Sequence, residues 1–193
     1  MLAGHFGVAG IVRALRPELP MGALLVATQL PDLVFLPLSV LGVESGEPAG
    51  PGMSGYGSLL ISAPYTHSLV GTLVLALLTG VLAHVLLRER WGRYAGPVLG
   101  GVVFSHWALD LLVHRPDMPF LPGGAGDLPL LGLGLWELPA AAAAVEGALV
   151  LAGTVLYAWR TLRDHPNRTR ALLYSIGIGL LLVGSFVYDL TAS

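Results

Sequence analysis

YAGPVLGGVVFSHWALDLLVH, residues 94–114, is 21 residues long and can be read in two ways. As one helix it rises about 31 Å, enough to cross roughly 30 Å of hydrocarbon. Yet its second half carries His106, Asp110 and His114 at four-residue spacing. Each step advances about 40° around a helix, so the three form one polar stripe. An Asp, Lys or Arg near the centre of a span costs about 2.5–3.5 kcal/mol on insertion scales. A spanning helix that keeps this stripe needs partners for it, and the rest of the chain must supply them.

Composition favours the spanning reading. Of the 193 residues, 54% are hydrophobic and 11% are charged, about half the charged share of a typical soluble domain. The apolar residues gather into runs at about 21–43, 67–87, 94–114, 138–160 and 170–189, each long enough to cross a bilayer. A further segment at about 2–13 is apolar but too short to cross. The expected fold is an all-α integral membrane helical bundle: five transmembrane helices plus a short, partly inserted N-terminal helix, forming one domain over 1–193. No polar linker, strand or repeat stands out. GPVLG at 96–100 has the small-xxx-small spacing that lets membrane helices approach closely. The start, MLAGHFGVAGIV, lacks a basic residue ahead of its apolar part and contains His5, so it is expected to belong to the fold as a poor signal peptide. A net charge of −2 does not suggest a nucleic-acid partner, and the absence of cysteine excludes disulfides and thiolate metal sites.

The basic residues, all arginine, indicate an orientation. Arg13 and Arg16 precede the first span. Arg88, Arg90 and Arg93 lie between the second and third, and Arg160, Arg163, Arg168 and Arg170 between the fourth and fifth. Alternating spans put these nine on one side and Arg115 alone on the other. The positive-inside rule makes the first side cytoplasmic. The loops at about 44–66 and 115–137, and the C-terminal YDLTAS, then face outward in the cell membrane.

The other ionisable groups within the apolar runs are His5, Asp32, His67 and Glu146. Helix rise places Asp110 about 6 Å, His106 and Glu146 about 12 Å and Asp32 about 16 Å below the outer ends of their spans. His5 stands about 12 Å above Arg13, and His67 opens its span at the outer surface. All can therefore gather in the outer half of the bilayer. Glu137, nine residues before Glu146, points to the opposite helix face and is expected to reach water. Pro31 interrupts helical bonding beside Asp32, an irregularity tolerated where the chain lines a protein-walled cavity. Imidazoles with carboxylates suit a divalent metal, zinc foremost, and a cation offsets the penalty of burying acids. The expected ligands are His5, Asp32, His67, His106, Asp110, His114 and Glu146; for Glu146, a general base or a structural hydrogen bond is the alternative.

The order His5, PD at 31–32, THS at 66–68, HWALDLLVH at 106–114, GLGLW at 132–136 and Glu146 resembles the YdjM-like membrane-bound metal-dependent hydrolases. That family is distantly similar to the zinc-dependent phospholipase C and P1 nuclease group. The likeness runs from residue 5 to about 150, leaving the last span unmatched. It implies an all-helical scaffold whose histidines and acids hold one to three zinc ions and hydrolyse phosphate esters. His106 with Asp110 matches the His-x-x-x-Asp pair of that group, and His114 its downstream histidine. His67, Asp32 and His5 match the THS, PD and N-terminal positions, and Glu146 the late acid.

A bound divalent ion would make water acidic enough to act as the nucleophile, and Asp32 or Glu146 could take its proton as the catalytic base. The expected function is a membrane-embedded metal-dependent hydrolase of phospholipid-like or other phosphate esters at the outer leaflet, with membrane lipid as partner. A scaffold with a structural metal, or a transporter using these groups as a relay, are the alternatives. His84 and His165 are expected to be solvated, as are Asp117 and Asp127, for which a mouth or lid is the alternative, and Asp189 is expected to be interfacial. Trp107 and Trp136 are read as interfacial anchors or packing groups, with Trp136 able to border a site. Arg115 reads as an ordinary interfacial arginine, or as an attractor for an anionic head group.

Overall fold

The computed structural model describes residues 1–50 and 56–191. Residues 51–55 of the 44–66 loop and the last two residues of YDLTAS lie outside that range. The described elements are α1 (Leu2–Leu15), α2 (Met21–Thr28), α3 (Leu30–Val40), β1 (Ser45–Pro48), β2 (Leu59–Ser62), α4 (Leu69–Trp91), α5 (Ala95–Val113), α6 (Pro139–Asp164) and α7 (Arg168–Thr191).

Four helices, α4 to α7, are long and apolar enough to cross a membrane. α2 and α3 pass the same test only together, bent by 51° at the break between them, so the described residues hold four spans, or five where the bent pair counts as one. Their outer faces carry large apolar side chains that are exposed, including Leu77, Val85, Leu151 and Leu180. Apolar faces this extensive need hydrocarbon around them. The chain is thus an all-α membrane bundle with a short extra helix, as the apolar runs predict.

Packing pairs α4 with α5, α1 with α6, and α6 with α7, while α1 also touches α2, α5 and α7. Short α1 rises about 21 Å and lies inside the bundle, with Ala3, His5, Gly7, Ala9 and Gly10 buried. It fits there because glycines let its backbone approach that of α6: a Cβ on Gly7 would stand 2.6 Å from the Leu149 carbonyl oxygen. The GPVLG spacing serves α5 in the same way, since a Cβ on Gly100 would meet the Ala76 carbonyl oxygen of α4 at 2.8 Å.

The bend between α2 and α3 has a local cause. Pro31 has no N–H to continue the ladder of α2, and Gln29 leaves helical geometry at φ −106°, ψ 6°. α3 restarts with Leu33 donating to the Gln29 carbonyl. Elsewhere, Ser68 caps α4 by accepting from Gly71 N–H. β1 and β2 correct the expectation that no strand would form. They pair antiparallel from Ser45↔Ser62 to Pro48↔Leu59. Each is only four residues long and mostly exposed, so neither alternates long enough to stand out in sequence.

Candidate metal centre

The polar stripe of α5 meets residues from α1, α3 and the turn before α4. His5 Nε2 lies 3.1 Å from Asp110 Oδ1. His106 Nε2 lies 3.0 Å from Asp110 Oδ2 and 3.5 Å from Asp32 Oδ1. His67 Nε2 lies 3.3 Å from Asp32 Oδ1 and 3.6 Å from Asp110 Oδ2. The His5 and His106 rings stack at 3.8 Å, 12° from parallel. Among the described residues, two groups could hold a metal ion: His5, His106 and Asp110; and Asp32, His67 and His106. Both use His106, whose single free nitrogen can ligate one ion at a time, whereas Asp110 turns one oxygen toward each group.

The ring of His106 is oriented for ligation. The break after α2 turns the Thr28 carbonyl toward His106 Nδ1, at 2.7 Å. A carbonyl only accepts, so Nδ1–H donates and a neutral ring keeps its lone pair on Nε2. That Nε2 is buried with no hydrogen-bond partner among the described residues, although two carboxylates lie within reach. An unsatisfied buried nitrogen facing acids fits a ligand atom better than a packing contact. His106, Asp110, His5 and His67 are nearly sealed, while the Asp32 side chain is 40% exposed.

His114 lines the same cavity of about 150 Å³ but belongs to neither group. It sits at the end of α5, where its Nδ1–H donates to Asp117 at 3.0 Å and its ring lies 4.3 Å from that of Trp136. GLGLW brings the tryptophan there: Leu133 and Gly134 donate to the Leu111 and His114 carbonyls, and left-handed Gly134 (φ 73°) starts the turn carrying Trp136.

Glu146 is not brought into either group. Its Oε1 accepts from Gly4 N–H at 2.8 Å, and its Oε2 from the Tyr56 hydroxyl. Asp189, expected at the interface, is instead buried and accepts from Ala3 N–H at 2.9 Å. The two acids thus cap the first turn of α1, where free N–H groups and the helix dipole favour negative charge. Burial, then the Glu146 contact, raises the Tyr56 hydroxyl above its ordinary pKa, keeping it a donor. For Glu146 the geometry matches the structural hydrogen bond among the sequence alternatives.

Other expectations shift as well. Trp107 is buried and donates to the His67 carbonyl, so it packs rather than anchors an interface. Arg115 donates to the Gly57 carbonyl at 2.7 Å, just ahead of β2. Asp117 is the partner of His114 rather than a purely hydrated acid, whereas Asp127 and His84 are exposed. Sequence reasoning missed Glu44 altogether. It is buried and accepts from Tyr65 N–H, Thr66 N–H and the Thr66 hydroxyl, beside His67. Its only sequence signal is an acid twelve residues after Asp32 at the end of a span.

Compared with protein-family models, curated proteins and solved structures, the chain matches none.

Proposed function

We propose that the chain is a membrane-embedded, metal-dependent hydrolase of phosphate esters, acting on phospholipid-like substrates with zinc as the first candidate ion. The observation that carries this reading is the pair of ligand groups joined through His106, with Asp110 Oδ1 beside His5 of the first and Oδ2 3.6 Å from His67 of the second. A bound divalent ion supplies Lewis acidity toward a phosphoryl oxygen and makes nearby water more acidic. Asp32, the one exposed acid of the groups, is placed to accept the proton of an attacking water. Glu146, the other base expected from sequence, has one oxygen engaged by Gly4 N–H of α1 and the other by the Tyr56 hydroxyl, and is the weaker candidate.

Lateral access supports a lipid-linked substrate. Asp32 lies on α3, whose neighbouring Leu33, Leu36 and Val40 are exposed apolar side chains. An acyl chain could lie against them while its head group reaches Asp32. The resemblance to YdjM-like hydrolases supports the same chemistry, and the arginine pattern supports a cell-membrane location with the centre on the extracytoplasmic side. A relay across the bilayer is less favoured: among the described residues, the buried ionisable groups are those of the centre, the α1 cap and Glu44.

The test is metal analysis of the purified chain, paired with head-group release from phospholipid vesicles with and without chelator. Bound zinc and chelator-sensitive release, lost in Asp110→Ala, are expected. Stoichiometric metal with no release from any phosphate ester would favour a scaffold whose ion ties the helices.

A further inference from the structure

We propose that Glu44 is a positioning residue. Acting through Thr66, it fixes which nitrogen of His67 carries the ring proton, so that Nε2 faces the centre as a lone pair. The inference rests on the metal reading above.

The argument follows one proton at a time. The Glu44 carboxylate accepts only. Its Oε1 takes the Tyr65 and Thr66 N–H groups, at 2.8 and 2.9 Å. Its Oε2 takes the Thr66 hydroxyl, at 2.8 Å. A threonine hydroxyl has a single hydrogen, and here it is spent on Glu44. Yet the same Oγ1 lies 2.8 Å from His67 Nδ1. With no hydrogen left to give, Oγ1 must accept, so Nδ1 carries the proton. Nε2, 3.3 Å from Asp32, is then the nitrogen free for an ion. The whole chain is buried, with Glu44, Thr66 and His67 each at most 5% exposed, so water is not at hand to replace a link.

Polarity, rather than shape, is therefore what Glu44 contributes, and one nearly isosteric change reverses it. In Glu44→Gln, two backbone N–H groups converge where Oε1 sits, so the amide oxygen must take that place. The amide nitrogen then occupies the Oε2 position and donates to Thr66 Oγ1. Thr66 turns its hydrogen to His67 Nδ1, and the ring proton moves to Nε2, where it blocks ligation. The backbone contacts of Tyr65 and Thr66 survive the exchange.

The experiment uses the full chain in lipid nanodiscs, isotope-labelled at histidine nitrogen, with zinc alone as probe. The His67 signal is assigned by its loss in His67→Gln. In the wild type, Nδ1 is expected to carry hydrogen. In Glu44→Gln it is expected to be bare, with zinc affinity lower by roughly 10–100-fold, the usual loss for an outer partner of a ligand. Thr66→Ser keeps the hydroxyl and should behave as wild type. In a Thr66→Val background, where the link is already cut, Glu44→Gln should change zinc affinity no further. A Glu44→Gln protein that keeps hydrogen on Nδ1, or that loses the same affinity in the Thr66→Val background, overturns the relay. If the wild type binds no zinc, the metal reading falls, and the Nδ1 signal in Glu44→Gln still decides the relay.

Discussion

Two buried polar clusters meet at the start of α1, and they are built on opposite principles. In one, Asp110 and Asp32 face ring nitrogens of three histidines, and His106 Nε2 is left without a hydrogen bond. In the other, Glu146 and Asp189 face N–H groups of Gly4 and Ala3, and Tyr56 completes the Glu146 shell. The first cluster keeps a nitrogen unused. The second has donors brought to its acids. A buried acid is therefore not by itself a sign of metal, and what faces its oxygens decides the matter.

The comparison can be broken at several points. His106→Ala should have the largest effect, because both ligand groups lose a member. Zinc binding measured by calorimetry should weaken by more than the roughly 100-fold that loss of an outer partner can cause. Retention of binding would remove the distinction between the clusters. Next comes Gly153→Leu on α6, where a side chain would run into the Gly7 backbone. Overpacking of this kind costs about 1–3 kcal/mol. Because it levers α1 away, thermal unfolding in nanodiscs and zinc affinity should fall together.

Glu146→Ala sharpens the contrast. Leaving Gly4 N–H unsatisfied should cost about 1–3 kcal/mol of stability, with the number of zinc ions per chain unchanged by elemental analysis. A lost ion would instead make Glu146 a ligand. Asp117→Asn should have the smallest effect. It weakens only the hold on His114 Nδ1–H, and because His114 belongs to neither ligand group, zinc affinity should change by less than the roughly 10-fold that loss of a ligand's outer partner costs.

What could be read from sequence follows the range of the forces involved. Bilayer thickness imposes its length on each span separately, so apolar runs such as 170–189 locate α7 without knowledge of neighbours. Pro31 similarly announces the bend, since the missing N–H is local. The stripe on α5 was legible because helix geometry alone puts His106 and Asp110 on one face, and its expected partners shared one depth. Glu44 and Asp189 were not legible. Each looks like an acid that reaches water at the end of an apolar run, and each finds backbone N–H groups from a distant segment. Which N–H groups are free there depends on where helices start and how they pack, which spacing does not carry. Glu146 was located in depth but not in direction, because depth says nothing of which neighbour an acid faces.

His106 has one further consequence. One ring nitrogen belongs to both ligand groups, so neither can fill as an isolated compartment. An ion that takes it in one group leaves the other a ligand short. Occupancy should thus be negatively cooperative rather than additive, and a titration curve fitted to independent sites would misdescribe the centre.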